Sequence, residues 1–317
     1  MKNLRTFGEF ALIAELKKSF VKAGGRLKVA IGDDAAVFEE KAGRSLLATT
    51  DMLVEGVHFS ASMPPYKVGQ KALASNVSDI AAMGGKSLYG LVSAGFRKNV
   101  RYKYAKELLS GIKKEALKYN VEIIGGDTVS SKVTTISISL FGEVTGKRYA
   151  VRSGAKEGDF IVVTGTLGNG AAALLGKGIY IPRIKAAFAQ EAVRAGLIRS
   201  MIDISDGLSS ELHHLAKESG LGAFIDIKTV PLSALTKKRA LENRKNAYRL
   251  ALNGGEDYEL LFTVAPKNIR RVLRLGKSKN TKLTVLGVMR DKKCGVKFSD
   301  FDGELKYLPR KGYDHFA

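Results

Sequence analysis

Carboxylates beside glycine or another small residue recur at widely separated points of this chain. They are Gly32-Asp33-Asp34, Thr49-Thr50-Asp51, Asp79, Gly125-Gly126-Asp127, Asp203-Ile204-Ser205-Asp206-Gly207 and Gly254-Gly255-Glu256-Asp257. Aspartate next to glycine often only shapes a turn. So many at the ends of apolar, strand-like runs fit oxygen ligands gathered around hard cations, because Mg²⁺ takes a few carboxylates and completes its shell with water and substrate phosphates. Thr49 and Thr50 add oxygens beside Asp51, and the glycines let backbone approach a polyphosphate closely. The chemistry indicated is phosphate chemistry with Mg²⁺.

Other candidates are weaker. Gly165-Thr166-Leu167-Gly168-Asn169-Gly170 follows a strand-like run and reads equally as an anion cradle at a helix N-terminus or as a tight turn. Gly176-Lys177-Gly178 lacks the hydroxyl of a Walker A loop, which disfavours a P-loop enzyme. His58 follows the Thr49-Thr50-Asp51 run and could hydrogen-bond an anionic substrate, though a structurally satisfied histidine is the commoner case. His213 and His214 have no histidine at i+4, so a zinc site is not expected, and Cys294 reads as incidental.

The elements that must hold these groups follow from periodicity. Leu73, Val77 and Ile80 recur at i, i+4, i+7, which predicts a helix carrying Asn76 and Asp79 on a neighbouring face. Ala105, Leu108, Leu109, Ile112 and Ala116 mark a second helix ending near Asn120, ahead of a strand over 121–124. Strands are expected at 46–48 leading into Thr49, and at 134–141, 160–163, 201–204, 224–227, 260–264 and 283–288. Ser205 or Asp206 is the expected cap of a helix bearing Leu208, Leu212 and Leu215. A chain of 317 residues exceeds the usual single core, and the glycines and charges of 146–158 mark the boundary between domains at 1–148 and 149–317.

The balance of 52 basic to 31 acidic residues gives a net charge of +21, which attracts polyanions. The basic residues are spread over amphipathic stretches without a sustained block, a pattern that fits phosphorylated metabolites as partners better than nucleic acid. One cysteine excludes an intrachain disulfide framework. No stretch is apolar enough for a membrane span and the first residues do not form a signal core, so a cytoplasmic location is the default.

Taken in order, the motifs resemble those of the thiamine-monophosphate kinase family. They run Ile31-Gly32-Asp33-Asp34-Ala35-Ala36, Thr50-Asp51, Glu55-Gly56-Val57-His58-Phe59, Lys71-Ala72-Leu73-Ala74-Ser75-Asn76-Val77-Ser78-Asp79 and Ile124-Gly125-Gly126-Asp127-Thr128. They continue with Arg152-Ser153-Gly154-Ala155-Lys156, Ile202-Asp203-Ile204-Ser205-Asp206-Gly207, Gly254-Gly255-Glu256-Asp257-Tyr258-Glu259 and Lys311-Gly312-Tyr313-Asp314-His315-Phe316, so nearly the whole chain is covered. The resemblance implies an α/β (α+β) two-domain fold of the aminoimidazole ribonucleotide synthetase superfamily. Its N-terminal domain pairs across a homodimer into a β-barrel, and its C-terminal domain is α/β. It also implies transfer of the γ-phosphoryl of ATP to thiamine monophosphate, the last step of thiamine diphosphate formation.

By motif position, Asp34, Thr49, Thr50, Asp51, Asp79, Asp127, Asp203 and Asp206 would hold several Mg²⁺ ions. Gly126, Asp127, Arg152 and Ser205 would contact ATP, and His58 and Glu256 the thiamine monophosphate; Asp51, Asp127 and Asp206 are the catalytic candidates. Asp33 and Asp257 are left to shape turns. The family's aromatic before the C-terminal motif is replaced here by Pro309-Arg310, which leaves Tyr313 or Tyr307 to stack on substrate, with Tyr313 taken as the substrate residue. Because the acceptor is a phosphate oxygen, direct in-line transfer without a phosphoenzyme is expected. The nearest alternatives are another ATP-dependent enzyme of the superfamily, such as aminoimidazole ribonucleotide synthetase, and, in a different class, a basic nucleic-acid-binding protein.

Overall fold

The computed structural model describes residues 8–20, 22–40, 43–146 and 148–312. After a first helix, α1 (Glu9–Ser19), the chain builds a six-stranded sheet from β1 (Leu27–Val29), β2 (Ala36–Glu39), β3 (Arg44–Val54), β4 (Lys86–Phe96), β5 (Glu122–Ser130) and β6 (Thr135–Thr145), in the order β1-β2-β3-β6-β4-β5. The β3–β6 pair is an antiparallel ladder from Arg44 opposite Thr145 to Val54 opposite Thr135. This carries Thr49-Thr50-Asp51 into mid-strand, where the sequence had placed it at a strand end. Gly125-Gly126-Asp127 is likewise inside a strand, because parallel pairing of β5 with β4 continues to Ser130.

Helices α2 (Pro65–Ala82) and α3 (Tyr102–Tyr119) cover one face of this sheet. Leu73, Val77 and Ile80 of α2 are buried, as their spacing predicts. Burial of that kind stabilises by roughly 1.5–3 kcal/mol per large side chain. Asn120 ends α3 in the left-handed conformation, as an asparagine C-cap can.

The C-terminal half forms a seven-stranded mixed sheet. Its strands are β7 (Phe160–Thr164), β8 (Ser200–Asp203), β9 (Gly222–Asp226), β10 (Leu260–Val264), β11 (Leu283–Arg290), β12 (Val296–Ser299) and β13 (Leu305–Tyr307), in the order β13-β12-β9-β11-β7-β10-β8. Helices α4 (Asn169–Leu175), α5 (Ala186–Arg194), α6 (Leu208–Glu218), α7 (Ala234–Glu242), α8 (Ala247–Asn253) and α9 (Ile269–Ser278) flank it. The N-cap of α6 is Gly207, with no side-chain cap bond, so neither Ser205 nor Asp206 caps it. The Glu211 carboxylate accepts the Asp206 N–H at 3.1 Å and ties down that loop instead.

The two halves share their cores. Tyr258, from the C-terminal half, packs in the cluster under the N-terminal sheet, and Ala82 of α2 packs in a C-terminal cluster with Phe188 and Val193. Among the described residues no helix is long and apolar enough to cross a membrane.

Candidate active site

One helix organises the acidic residues. On α2, Asn76 accepts the Asp51 N–H at 3.1 Å, Ser78 donates to Asp203 at 2.6 Å, and the Asp79 carboxylate lies 2.7 Å from the Thr49 hydroxyl. Thr49 Oγ1 is also 3.1 Å from the Asp34 carbonyl oxygen, so strand, helix and loop meet at this hydroxyl. Asp34, Asp51, Asp79 and Asp203 come from four segments and are mutual electrostatic neighbours.

The cost of that gathering shows in their proton affinities. Burial, reinforced by Asp51, Asp203 and Asp34, pushes the Asp79 carboxyl well above the usual carboxylate range. Burial and the charge of Asp34 push Asp203 up to about 8 against the opposing Ser78 hydrogen bond. Burial also raises Asp34, but Arg152 opposes it, donating to Asp34 Oδ1 from Nε at 3.1 Å and Nη2 at 2.5 Å. The other oxygen, Asp34 Oδ2, is buried and has no hydrogen-bond partner among the described residues.

An orphaned carboxylate oxygen inside a mutually repelling acidic set is the environment a hard cation relieves. Among the described residues no three His, Cys, Asp or Glu side chains close into a ready cage. The donors present are carboxylate and hydroxyl oxygens, the donor type that hard cations such as Mg²⁺ take.

Of the acidic set, Asp51 borders a cavity of 590 Å³ between the halves. Asp51, Ser205, Asp206, His58 and Glu256 line its polar part, while Leu53, Val57, Leu174, Leu175 and Leu250 make an aliphatic wall. His58 Nδ1 accepts the Val54 N–H at 3.0 Å, so the neutral ring carries its proton on Nε2, as a donor. Glu256 adopts the left-handed backbone, φ 68°, and its N–H donates to the Ser205 carbonyl at 2.7 Å. For a non-glycine residue that is a costly conformation of the kind concentrated at functional sites.

Three of the expected residues stand apart from this cluster. By strand pairing, Asp51 aligns through Ile138 and Val92 with Gly126, about 14 Å away at the usual strand spacing. Asp127 aligns with Ser93, Ser137 and Met52, on the outer face of the sheet, and Thr50 also faces outward. Gly126 has φ 151°, and a side chain there would collide with the Val92 carbonyl. Tyr313 lies outside the described residues. Pro309-Arg310 is docked on α6, where Ser209 donates to the Pro309 carbonyl at 2.7 Å and Arg310 meets His214 at 3.1 Å.

The loop 165–170 is already filled. The N–H groups of Gly168 and Gly170 donate to the Asp257 carboxyl group at 2.6 and 3.1 Å, so an internal side chain occupies the start of α4. Asp33, likewise, accepts the Arg152 N–H at 3.2 Å. Both carboxylates tie segments far apart in sequence, beyond shaping their own turns. Two residues escaped the sequence reading. Glu211 could have been found as an acid in the first turn of α6, whereas Lys71 left no signal beyond its place in a motif.

A two-domain α/β fold with a carboxylate cluster at the junction of its sheets defines the class. The AIR synthase related protein N-terminal domain matches residues 32–144 and the C-terminal domain residues 156–298, so the chain belongs to the AIR synthase related family. Within it the chain is 35% identical to the thiamine-monophosphate kinase of Escherichia coli strain K12, over 98% of each chain. It is 38% identical to that of Aquifex aeolicus, over 82% of this chain and 87% of the other. A solved structure of AaThiL complexed with AMPPCP and TMP superposes with a TM-score of 0.86 at 33% identity, covering 99% of each chain. An E. coli HypE structure, at 18% identity, shares the fold alone, with a TM-score of 0.74 over 86% of this chain and 88% of the other.

Proposed function

We propose that this chain is a thiamine-phosphate kinase, transferring the γ-phosphoryl group of ATP to thiamine monophosphate and releasing thiamine diphosphate and ADP. The observation that carries the reading is the near full-length likeness to a protein solved with AMPPCP and TMP, in a chain whose junction cavity joins an acidic cluster to an aliphatic wall. The cavity's polar part suits a phosphate, and its aliphatic wall suits uncharged ring surface.

The acceptor phosphate oxygen is already anionic near neutral pH, so the chain has to align and shield more than to remove a proton. The oxygen–γ-phosphorus bond forms as the bond to the β–γ bridging oxygen breaks, with no phosphoenzyme. His58 donates from Nε2 to the substrate phosphate, and Glu256 accepts from the organic part of thiamine monophosphate. Arg152, Ser205, Gly126 and Asp127 hold ATP. Asp34, Thr49, Thr50, Asp51, Asp79, Asp127, Asp203 and Asp206 are the residues that would hold magnesium, which when bound would neutralise phosphate charge. Asp51 and Asp206, which line the cavity, lie closest to the transfer in this reading, and Asp127 is kept as a catalytic candidate on the edge strand β5.

Gly126 and Asp127 belong to an edge strand, and that is the reason for proposing a homodimer. All nine residues of β5 are exposed, Ile123, Ile124 and Val129 among them, and the outer face adds Met52, Tyr89 and Phe141. A long, apolar, uncovered edge is a liability that pairing with a second copy into a barrel removes. Division at 148/149, a cytoplasmic location and the absence of a nucleic-acid partner complete the proposal. A coupled ADP-release assay with Mg²⁺-ATP tests it: release dependent on thiamine monophosphate is expected, and its absence sinks the assignment.

A further inference from the structure

Lys71 is among the most deeply buried side chains of the protein, 1% exposed, although it is a charged residue on α2. Its ammonium donates to the His58 carbonyl oxygen at 3.1 Å and forms an ion pair with Glu256. His58 and Glu256 are the two described residues assigned above to thiamine monophosphate, and they come from opposite halves of the chain. One buried cation therefore joins both sides of the organic-substrate pocket.

The geometry around Glu256 leaves Lys71 the task of aiming it. The backbone of Glu256 is held in a left-handed conformation by Ser205 and packed against Gly170, where an added Cβ would meet the Gly255 carbonyl at 2.4 Å. That fixes the start of the side chain, and the ion pair fixes its end. A buried ammonium is tolerated only when paired, so the contact is held strongly. It also means that the charge of Glu256 is matched inside the protein before substrate arrives.

We infer that Lys71 is a positioning residue for substrate selection: by pairing with Glu256 and holding the His58 carbonyl, it presents the Glu256 carboxylate as an oriented hydrogen-bond acceptor rather than as a bare counter-charge. The inference rests on the proposed kinase reading and deepens it. Lys71 touches neither reacting phosphate in this assignment, so its loss should act on recognition of the organic substrate and leave that of ATP intact.

The test is steady-state ADP release by Lys71→Met, Lys71→Gln, Glu256→Gln and Lys71→Met/Glu256→Gln, varying each substrate in turn, with thermal unfolding of each variant. Lys71→Met should raise KM for thiamine monophosphate about tenfold or more while KM for ATP stays within about twofold. The double variant should be no worse in that KM than the more affected single variant, because both remove one interaction. If Lys71→Met does not fold, Lys71→Gln, which keeps a donor without the charge, is read in the same way. An unchanged KM for thiamine monophosphate, equal rises for both substrates, or multiplying effects of the two single changes would overturn the inference. Unaltered protein with no thiamine-monophosphate-dependent turnover defeats the kinase reading itself, whereas normal turnover with Lys71 variants of unchanged KM defeats only the role of Lys71.

Discussion

Ser78 Oγ donates to the carboxylate of Asp203 at 2.6 Å, although 125 residues separate them. Both are buried, so the bond joins the N-terminal helix α2 to strand β8 of the C-terminal sheet in the middle of the acidic cluster. The site is thus a property of the junction between halves.

Ser78→Ala removes the donor and leaves a buried carboxylate oxygen unpartnered. The expected cost is about 1–3 kcal/mol of stability. Urea unfolding of the variant beside the unaltered chain measures it; equal midpoints would show that the contact contributes nothing.

Asp34, Asp51, Asp79 and Asp203 repel one another, so a divalent cation should stabilise the folded chain. Mg²⁺ is expected to raise the thermal midpoint and EDTA to reverse the rise. Asp79→Asn should blunt this response and shift half-maximal Mg²⁺ for activity upward by about tenfold. An identical Mg²⁺ titration for the variant would remove Asp79 from the ligand set.

Burial outweighs the backbone N–H donations at Asp257 and pushes its carboxyl from the ordinary 3.8 up to about 7. Between those values the folded chain holds a proton that the unfolded chain has lost. The contribution of this group to stability is therefore greatest below the lower value, declines as pH rises toward about 7, and is level above it. Asp257→Asn should abolish that slope while weakening the start of α4. Urea midpoints at about pH 5 and about pH 8 check the sign: the unaltered chain should lose more across the interval than Asp257→Asn does.

The exposed edge of β5 should bring two copies together. Sedimentation is expected to show a dimer, and Ile124→Glu to give a folded monomer with strongly reduced turnover, since Gly126 and Asp127 lie on the same strand. A monomer at assay concentration with full activity would remove the dimer from the mechanism.

Much of the local structure was legible because it is written in short-range pattern. The spacing of Leu73, Val77 and Ile80 announces α2, and Asn120 announces the end of α3. Strand extent was harder to read. Thr49-Thr50-Asp51 and Gly125-Gly126-Asp127 look like strand ends, yet long ladders with β6 and β4 carry both segments through. Pairing partners distant in sequence supply backbone hydrogen bonds that local propensity does not reveal. The glycine-rich segment at 165–170 stayed open between cradle and turn for a related reason, since the group that fills it is the Asp257 carboxyl, about 90 residues onward.

The sequence by itself determined the inventory: which carboxylates stand ready, which helix carries Asn76, Ser78 and Asp79, and, through the order of motifs, the family. Only the tertiary structure decided how that inventory divides. Asp34, Asp51, Asp79 and Asp203 converge, Thr50 and Asp127 face the other side of the sheet, and Lys71 is buried against Glu256. Side-chain type and helical period are local quantities, whereas the repulsion of gathered charges and the burial of an ion pair exist only once two sheets pack against one helix.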